Sequence, residues 1–261
     1  MNKRVLITGA SSGIGRELAG LFARDGFRLV LVARDKERLE KLADQFREQY
    51  GTVTKVIAKD LSRPDAPGEI YAELKQDESP VDILVNNAGF NVYGPFFEAD
   101  LAKTLEMIQV NLASLTLLTG LFLPDMVKRG GGKVLNIGST GSFAPGPFNA
   151  VYCATKAYVL SFTEAIAQEL QGTDVMAMAF CPGATKTEFA KRAGMEDTRI
   201  FLAGVMDAHE VAKCGYRFLE EGRSVITVPG IVNKLTVASL RFSPRVLVGK
   251  VGRYLMSRAS A

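Results

Sequence analysis

The sequence predicts an α/β protein built on one doubly wound, mainly parallel sheet of seven strands with helices on both faces. Two observations carry this. Seven short, β-branched apolar runs alternate with longer stretches of helical period, the pattern of parallel strands joined by crossover helices. No repeat or linker interrupts that plan through residue 230 of a 261-residue chain, so residues 1–230 read as one domain and residues 231–261 as an extension.

The strands are predicted at residues 4–8, 28–33, 52–58, 83–86, 133–138, 174–180 and 224–228. Residues 13–25 and 36–49 read as helices, the second with Leu39, Leu42 and Phe46 at helical spacing and its charges opposite. Residues 100–128 and 149–170 read as two more, apolar on several sides as the covering of a parallel sheet requires. Asp207, with Glu210 three residues on, is a capping box that would start a helix running through Glu220.

With 47% hydrophobic and 23% charged residues and no tryptophan, the composition excludes disordered and fibrous classes. The single histidine, His209, and the lack of an HExxH or paired-cysteine spacing argue against a metal site. Cys153, Cys181 and Cys214 form no CxxC and read as small hydrophobes in a reducing compartment. The opening MNKRVLITG is too short an apolar stretch for a signal peptide, and no run of roughly 18 uncharged apolar residues occurs, so a cytoplasmic location is expected. The net charge of +4 is uneven. Lys234, Arg241, Arg245, Lys250, Arg253 and Arg258 give the extension +6 without an acid, against 26 basic and 28 acidic residues before it.

The first strand runs into Thr8-Gly9-Ala10-Ser11-Ser12-Gly13-Ile14-Gly15 and then a helix. Glycines let backbone amides approach a pyrophosphate, and a helix N-terminus adds partial positive charge there. Gly9, Gly13 and Gly15 follow GxxxGxG, a variant of the Rossmann dinucleotide fingerprint GxGxxG, with Ser11, Ser12 and Ile14 inside the turn. At the end of the second strand Arg34 offers a forked cation to a 2′-phosphate, which favours NADP(H). Asp35 as a ribose ligand, or Arg34 paired with the acidic helix start, are the alternatives. Asp60 and Leu61 follow the third strand, where Asp60 would either accept from an adenine amino group or cap a turn. Asn86-Asn87-Ala88-Gly89 follows the fourth, suited to tying strands by side-chain amides while the backbone passes close to a ligand, or to a plain turn.

Tyr152 and Lys156 lie four residues apart, so they share one helical face. A free phenol titrates near a pKa of about 10, so a tyrosine acid or base needs a nearby cation, which Lys156 supplies. Ser139, just past the fifth strand, could hold a substrate oxygen between itself and Tyr152. Asn111 is a polar residue inside the apolar stretch 108–123 and needs partners, as a backbone tie or a water relay. Pro182, Gly183, Thr185 and Thr187 follow the sixth strand, where a turn could meet a nicotinamide carboxamide.

Together these residues resemble the short-chain dehydrogenase/reductase family in its shorter single-domain branch, with TGASSGIG, Asp60, NNAG, Asn111, Ser139, Tyr152, Lys156 and PGxxxT in the family's order over roughly residues 3–228. The resemblance implies Tyr152 as general acid/base, Ser139 orienting the carbonyl, Lys156 lowering the tyrosine pKa and gripping the nicotinamide ribose, and Asn111 ordering a water. It implies pro-S hydride transfer between NADP(H) and a ketone or secondary alcohol. Many members carry a branched aliphatic residue where Thr185 stands.

The apolar segment 188–206 falls where the family places its substrate lid, and Phe189, Met195, Ile200, Phe201, Leu202 and Met206, with Phe143 and Phe148 flanking Ser139, suggest a lipophilic substrate. In the extension, Ser243 and Pro244 resemble an N-cap and first helical residue, and Leu247, Val251, Tyr254 and Leu255 share a face opposite Arg245 and Arg253. Gly249 and Gly252 weaken that helix. A basic amphipathic helix can lie on an anionic membrane, dock on a second copy in a homodimer or homotetramer, or pack on the lid; nucleic acid is not expected as a partner. A nucleotide-binding sensor without turnover, acting through this tail, is the rival to an NADPH-dependent carbonyl reductase.

Overall fold

The computed structural model describes residues 3–77 and 79–259. The strands β1 (Arg4–Thr8), β2 (Arg28–Ala33), β3 (Thr54–Ala58), β4 (Ile83–Asn86), β5 (Gly132–Ile137), β6 (Val175–Phe180) and a two-residue β9 (Ile226–Thr227) form one parallel sheet in the order β3-β2-β1-β4-β5-β6-β9. The chain reverses direction across the sheet between β1 and β4, leaving a crevice at their carboxyl ends. Alternate residues of one strand feed opposite layers. Val5 and Ile7 pack with Leu18, Phe22 and Val211, whereas Leu6 packs with Ile70, Leu118 and Phe122. Both faces are therefore covered, as a parallel sheet of near-continuous apolar strands needs.

Helices α1 (Gly13–Arg24), α2 (Lys36–Tyr50) and α9 (Ala208–Glu221) cover one face. The other is covered by α3 (Ala66–Lys75), α5 (Leu115–Arg129) and α6 (Ala150–Glu169). Asp207 caps α9 by accepting from the His209 and Glu210 amides, as expected. The helix expected over residues 100–128 is three segments: α4 (Leu101–Ile108), a π-helical stretch Gln109–Ser114 around Asn111, and α5. By length and composition this run could cross a bilayer, but Leu115, Leu118, Phe122 and Met126 are buried against the sheet. Several strands are shorter than predicted. β3 begins at Thr54 because Thr52 instead donates to the Ala23 carbonyl at 3.1 Å, and β9 keeps only two of five predicted residues.

After β6 come elements the periodicity did not announce: β7 (Thr185–Lys186) paired to β8 (Met206–Asp207), with α7 (Glu188–Ala193) and α8 (Arg199–Leu202) between them. The extension forms α10 (Ile231–Leu240) and α11 (Arg245–Met256). Pro244, not Ser243, is the N-cap of α11, since its carbonyl accepts the first helical bond from Val248 at 3.1 Å. Leu247, Val251 and Tyr254 face solvent.

Candidate active site

One cleft of about 650 Å³ runs along the carboxyl ends of the central strands. At its β1 end, Gly9 and Gly13 hold φ of +65° and +55°, a conformation that disfavours any Cβ. A Cβ on Gly9 would stand 2.8 Å from Asn87 Nδ2, and one on Gly15 2.6 Å from the Gly9 carbonyl oxygen. Asn87 reaches back across the strands, donating from Nδ2 to the Thr8 and Gly9 carbonyls at 2.9 and 3.2 Å. The Thr8 hydroxyl accepts from the Asn87 and Ala88 amides, both at 3.0 Å. Ser12 caps α1 in extended backbone without a side-chain cap bond, so the first-turn amides stay free for an anion. Ser11, Ser12, Gly13 and Ile14 line the cleft, with Gly15 buried below.

Asp35 is committed elsewhere: its carboxylate caps α2, accepting from the Arg38 amide at 3.0 Å, and meets the Arg38 guanidinium at 3.3 Å. Arg34 lines the cleft and, among the described residues, makes neither ion pair nor side-chain hydrogen bond. Asp35 also lines the cleft, with its carboxylate already engaged, while Arg34 is not paired to the acidic helix start. Asp60 does form a turn, accepting from the Ser62 amide at 3.0 Å, while still lining the cleft with Leu61. A backbone cradle that a Cβ would fill, beside an uncommitted guanidinium, fits a dinucleotide carrying a 2′-phosphate.

Behind this wall, Asn86 Nδ2 donates to Thr119 Oγ1 at 3.0 Å and to Asn136 Oδ1 at 2.9 Å, and Asn136 Nδ2 to Thr163 Oγ1 at 2.9 Å. This buried chain ties β4, β5, α5 and α6. Asn111 is fully buried at the π-helical stretch and grips one residue from both sides, accepting from the Phe90 amide at 3.0 Å and donating to its carbonyl at 2.9 Å. These are backbone ties, and Nδ2 also reaches Thr155 Oγ1 on α6 at 3.4 Å. Gly89 lies against it, and a Cβ there would sit 3.1 Å from Asn111 Oδ1 and 3.6 Å from Lys156 Nζ.

Ser139 lies two residues past β5 and caps the 3₁₀ turn Thr140–Phe143; its oxygen accepts from the Gly141 amide at 3.0 Å, leaving its own hydrogen free to donate. Tyr152 and Lys156 rise from the first turns of α6 into the same cleft. Lys156 Nζ donates to the Ile137 carbonyl at 2.7 Å and stands 5.9 Å from the Tyr152 ring centroid. Burial pushes the Lys156 ammonium down to about 8. Burial also raises the Tyr152 phenol above its ordinary value, offset only in part by Ser139. The cation expected beside Tyr152 is thus present in the cleft but turned to a strand-end carbonyl, and burial is the largest influence on the phenol.

Pro182, Gly183, Thr185 and Thr187 line the cleft beyond β6. The Pro182 carbonyl accepts from the Thr140 amide at 2.9 Å, and Thr187 caps α7 by accepting from the Phe189 amide at 3.2 Å. Phe189, Met195, Ile200 and Phe201 roof the cleft as expected. Leu202 and Met206 do not: Leu202 is exposed and Met206 packs beneath the sheet's first layer. Phe143 and Phe148 also turn away, Phe143 into a small cluster with Leu160 and Val228, Phe148 against the Tyr93 ring at 6.2 Å. Sequence reasoning missed Phe90, Asn91, Asn149 and Met256, all in the cleft wall. Asn149, as the residue before α6, was the one with a local signal; Met256 arrives from over a hundred positions away.

The family model for short chain dehydrogenase matches residues 3–197. A ketoacyl reductase, HetN, of Nostoc sp. is 31% identical over 87% of this chain and 78% of its own. A very-long-chain 3-oxoacyl-CoA reductase of Anas platyrhynchos is 36% identical over 71% of this chain and 61% of its own. The chain thus spans about three fifths of the length of some of its curated relatives. A solved short-chain dehydrogenase from Sphingobium yanoikuyae in complex with NADPH superposes with a TM-score of 0.84 at 36% identity, over 94% of both chains.

Proposed function

This chain belongs to the short-chain dehydrogenase family, and from that premise we propose that it interconverts a ketone and a secondary alcohol with NADP(H), acting on a lipophilic small molecule. The observation that carries the reading is that Ser139, Tyr152 and Lys156 share one cleft with the Gly9–Gly15 turn and Arg34. When bound, the dinucleotide supplies or takes the hydride. The α1 turn would hold its phosphates, Arg34 its 2′-phosphate, Asp60 and Leu61 its adenine, Lys156 its nicotinamide ribose, and Pro182 to Thr187 its carboxamide, with Ala88 and Gly89 passing close by.

In the reducing direction Tyr152 gives its hydroxyl proton to the carbonyl oxygen while the Ser139 O–H donates to the same oxygen as negative charge grows there. Burial keeps Tyr152 protonated at neutral pH, which suits an acid. Lys156, charged below about 8, stabilises the phenolate left behind. Asn111, by fixing Phe90, keeps the wall opposite Lys156 in place. The apolar roof of Phe189, Met195, Ile200 and Phe201 supports a lipophilic substrate, and two relatives are named for reducing ketoacyl groups.

The test is NADPH oxidation against a panel of aliphatic, aryl and acyl ketones, alongside NADPH binding followed by fluorescence. Turnover with at least one bulky ketone, lost in Tyr152→Phe while NADPH binding is kept, is the expected result. NADPH binding with every ketone left unreduced would instead identify a sensor.

A further inference from the structure

Residues 254–259 run back over the lid. Ser257 accepts from the Arg199 amide at 3.1 Å through its carbonyl, and the Ala259 amide donates to the Asp197 carbonyl at 3.0 Å. Thr198 and Arg258 form an antiparallel bridge. Around this short ribbon, Arg258 pairs with Asp197 at 2.5 Å and donates to the Gly194 carbonyl at 3.2 Å. Arg199 lies over the Tyr254 ring, 4.7 Å from guanidinium to centroid, and donates to the Arg258 carbonyl at 2.9 Å. Segment 194–199 of the lid is therefore bonded to segment 254–259 through backbone and side chains together.

The same segment reaches the cleft. Met256 lines it, the Tyr93 hydroxyl donates to the Met256 carbonyl, and Asn149 Nδ2 lies 2.9 Å from the Met256 sulfur. Asn91 donates to Asn149 Oδ1 at 2.7 Å and sits 3.4 Å from the Met195 sulfur. A continuous line of side chains, Met195–Asn91–Asn149–Met256, thus joins lid, floor, the start of the catalytic helix and the tail. Gly252 lets α11 come this close, since a Cβ there would stand 3.3 Å from the Pro145 carbonyl oxygen and the Pro147 ring. The glycine that weakens the helix by propensity is what seats it.

We propose that residues 256–259 are a clasp that holds the lid over the cleft, and that Met256 is a specificity-determining residue which closes the far end of the substrate pocket. A thioether on three rotatable bonds can adapt to bulky apolar ligands of varied outline, which matches a pocket for lipophilic ketones. The clasp must loosen for such a substrate to enter. Its ion pair is solvent-exposed, so a single pair contributes little and the ribbon acts through the sum of its bonds. The specificity role rests on the carbonyl-reductase reading; the clasp itself does not.

The experiment compares full-length protein with a variant ending at Met256, with Arg258→Asp, and with Arg258→Asp combined with Asp197→Arg. Hydrogen exchange of residues 194–203 reads the clasp without any substrate, and KM and kcat for a small and a bulky ketone read its effect on selection. Shortening should speed lid exchange about 10-fold and raise KM for the bulky ketone about 5-fold, with kcat for the small ketone within about 2-fold. The reversed pair should recover most of what Arg258→Asp loses. Met256→Ala should shift preference toward longer ketones. Unchanged lid exchange in the shortened protein overturns the clasp, and an unchanged small-to-bulky ratio in Met256→Ala overturns the specificity role. If no ketone is reduced by the intact protein, the enzymatic reading fails while the exchange data still decide the clasp.

Discussion

The floor of the cleft is made by β1, β4, β5 and β6, each hydrogen-bonded to parallel neighbours on both sides, whereas its roof is made by helices of six and four residues and a tail helix with no buried residue. Floor side chains are held by amide-to-hydroxyl chains such as Asn86–Asn136–Thr163. Roof side chains are held by exposed arginines and by the thioethers of Met195 and Met256, which contact Asn91 and Asn149. A proton transferred between tyrosine and a carbonyl oxygen tolerates little misplacement, so it belongs on elements packed into the core, Ser139 just past β5 and Tyr152 on α6. Selecting among apolar substrates needs give, and elements with low local stability supply it.

This division can be broken at several points. The largest effect is expected at Tyr152. In Tyr152→Phe ketone reduction should fall about 10²- to 10⁴-fold, the usual worth of a positioned acid, with NADPH affinity and the melting temperature little changed. Residual turnover above about a tenth of the original rate would remove the tyrosine from the mechanism.

Lys156 should show the cost of that chemistry to the floor. Its ammonium is held down to about 8 by burial, against 10.5 when free, so below about pH 8 the folded state carries the desolvation penalty in full. Between about 8 and 10.5 the folded protein sheds the proton before the unfolded chain does, and the penalty fades as pH rises. Lys156→Met should therefore be inactive yet more stable at pH 7 by about 2 kcal/mol, the penalty of order 3 less about 1 for the orphaned Ile137 carbonyl. Denaturant melts at pH 7 and pH 10 measure both numbers, and the gain should shrink at the higher pH. Equal or lower stability at pH 7 would show that the buried cation is fully compensated.

Arg34 tests the nucleotide end. Replacing it with glutamate should weaken NADP⁺ binding about 10- to 100-fold, the range of a lost charge-assisted bond, and leave NAD⁺ binding unchanged or better, read by fluorescence titration. A parallel loss for both nucleotides would place Arg34 outside the 2′-phosphate site.

How far the sequence foretold this comparison follows the same line. The Gly9–Gly15 turn, Arg34 and Ser139 were legible because each lies within a few residues of a strand end, and Tyr152 and Lys156 because their spacing of four puts them on one face of α6. Asn111 was singled out as a buried amide, but not the π-helical stretch around it, because QVNLAS keeps an apolar pattern that a uniform helix satisfies equally well. Phe143 and Phe148 were misplaced because flanking Ser139 in sequence says nothing of which side of the 3₁₀ turn faces the cleft. The meeting of Met256 with Tyr93 and Asn149 was invisible, since it depends on where a helix from the far end of the chain docks. Lys156 as the cation beside Tyr152 followed from their spacing of four, but the Ile137 carbonyl that its ammonium meets did not, since that contact depends on how α6 docks on β5.

The smallest expected effect lies on the outer face of α11. Leu247 is 53% exposed, whereas Leu18 under the glycine turn is fully buried. Leu18→Ala should cost about 2–5 kcal/mol by opening a cavity in the first layer, while Leu247→Ser in a dilute solution of the single chain should stay within about 0.5 kcal/mol. Denaturant melts on both variants give the contrast directly. A loss at Leu247 approaching that at Leu18, and growing with protein concentration, would mean that this face is covered by a second copy in solution and that the roof is completed by another molecule. A neutral substitution at every concentration leaves the roof a property of one chain, held at its inner edge by the tail's contacts with residues 194–199.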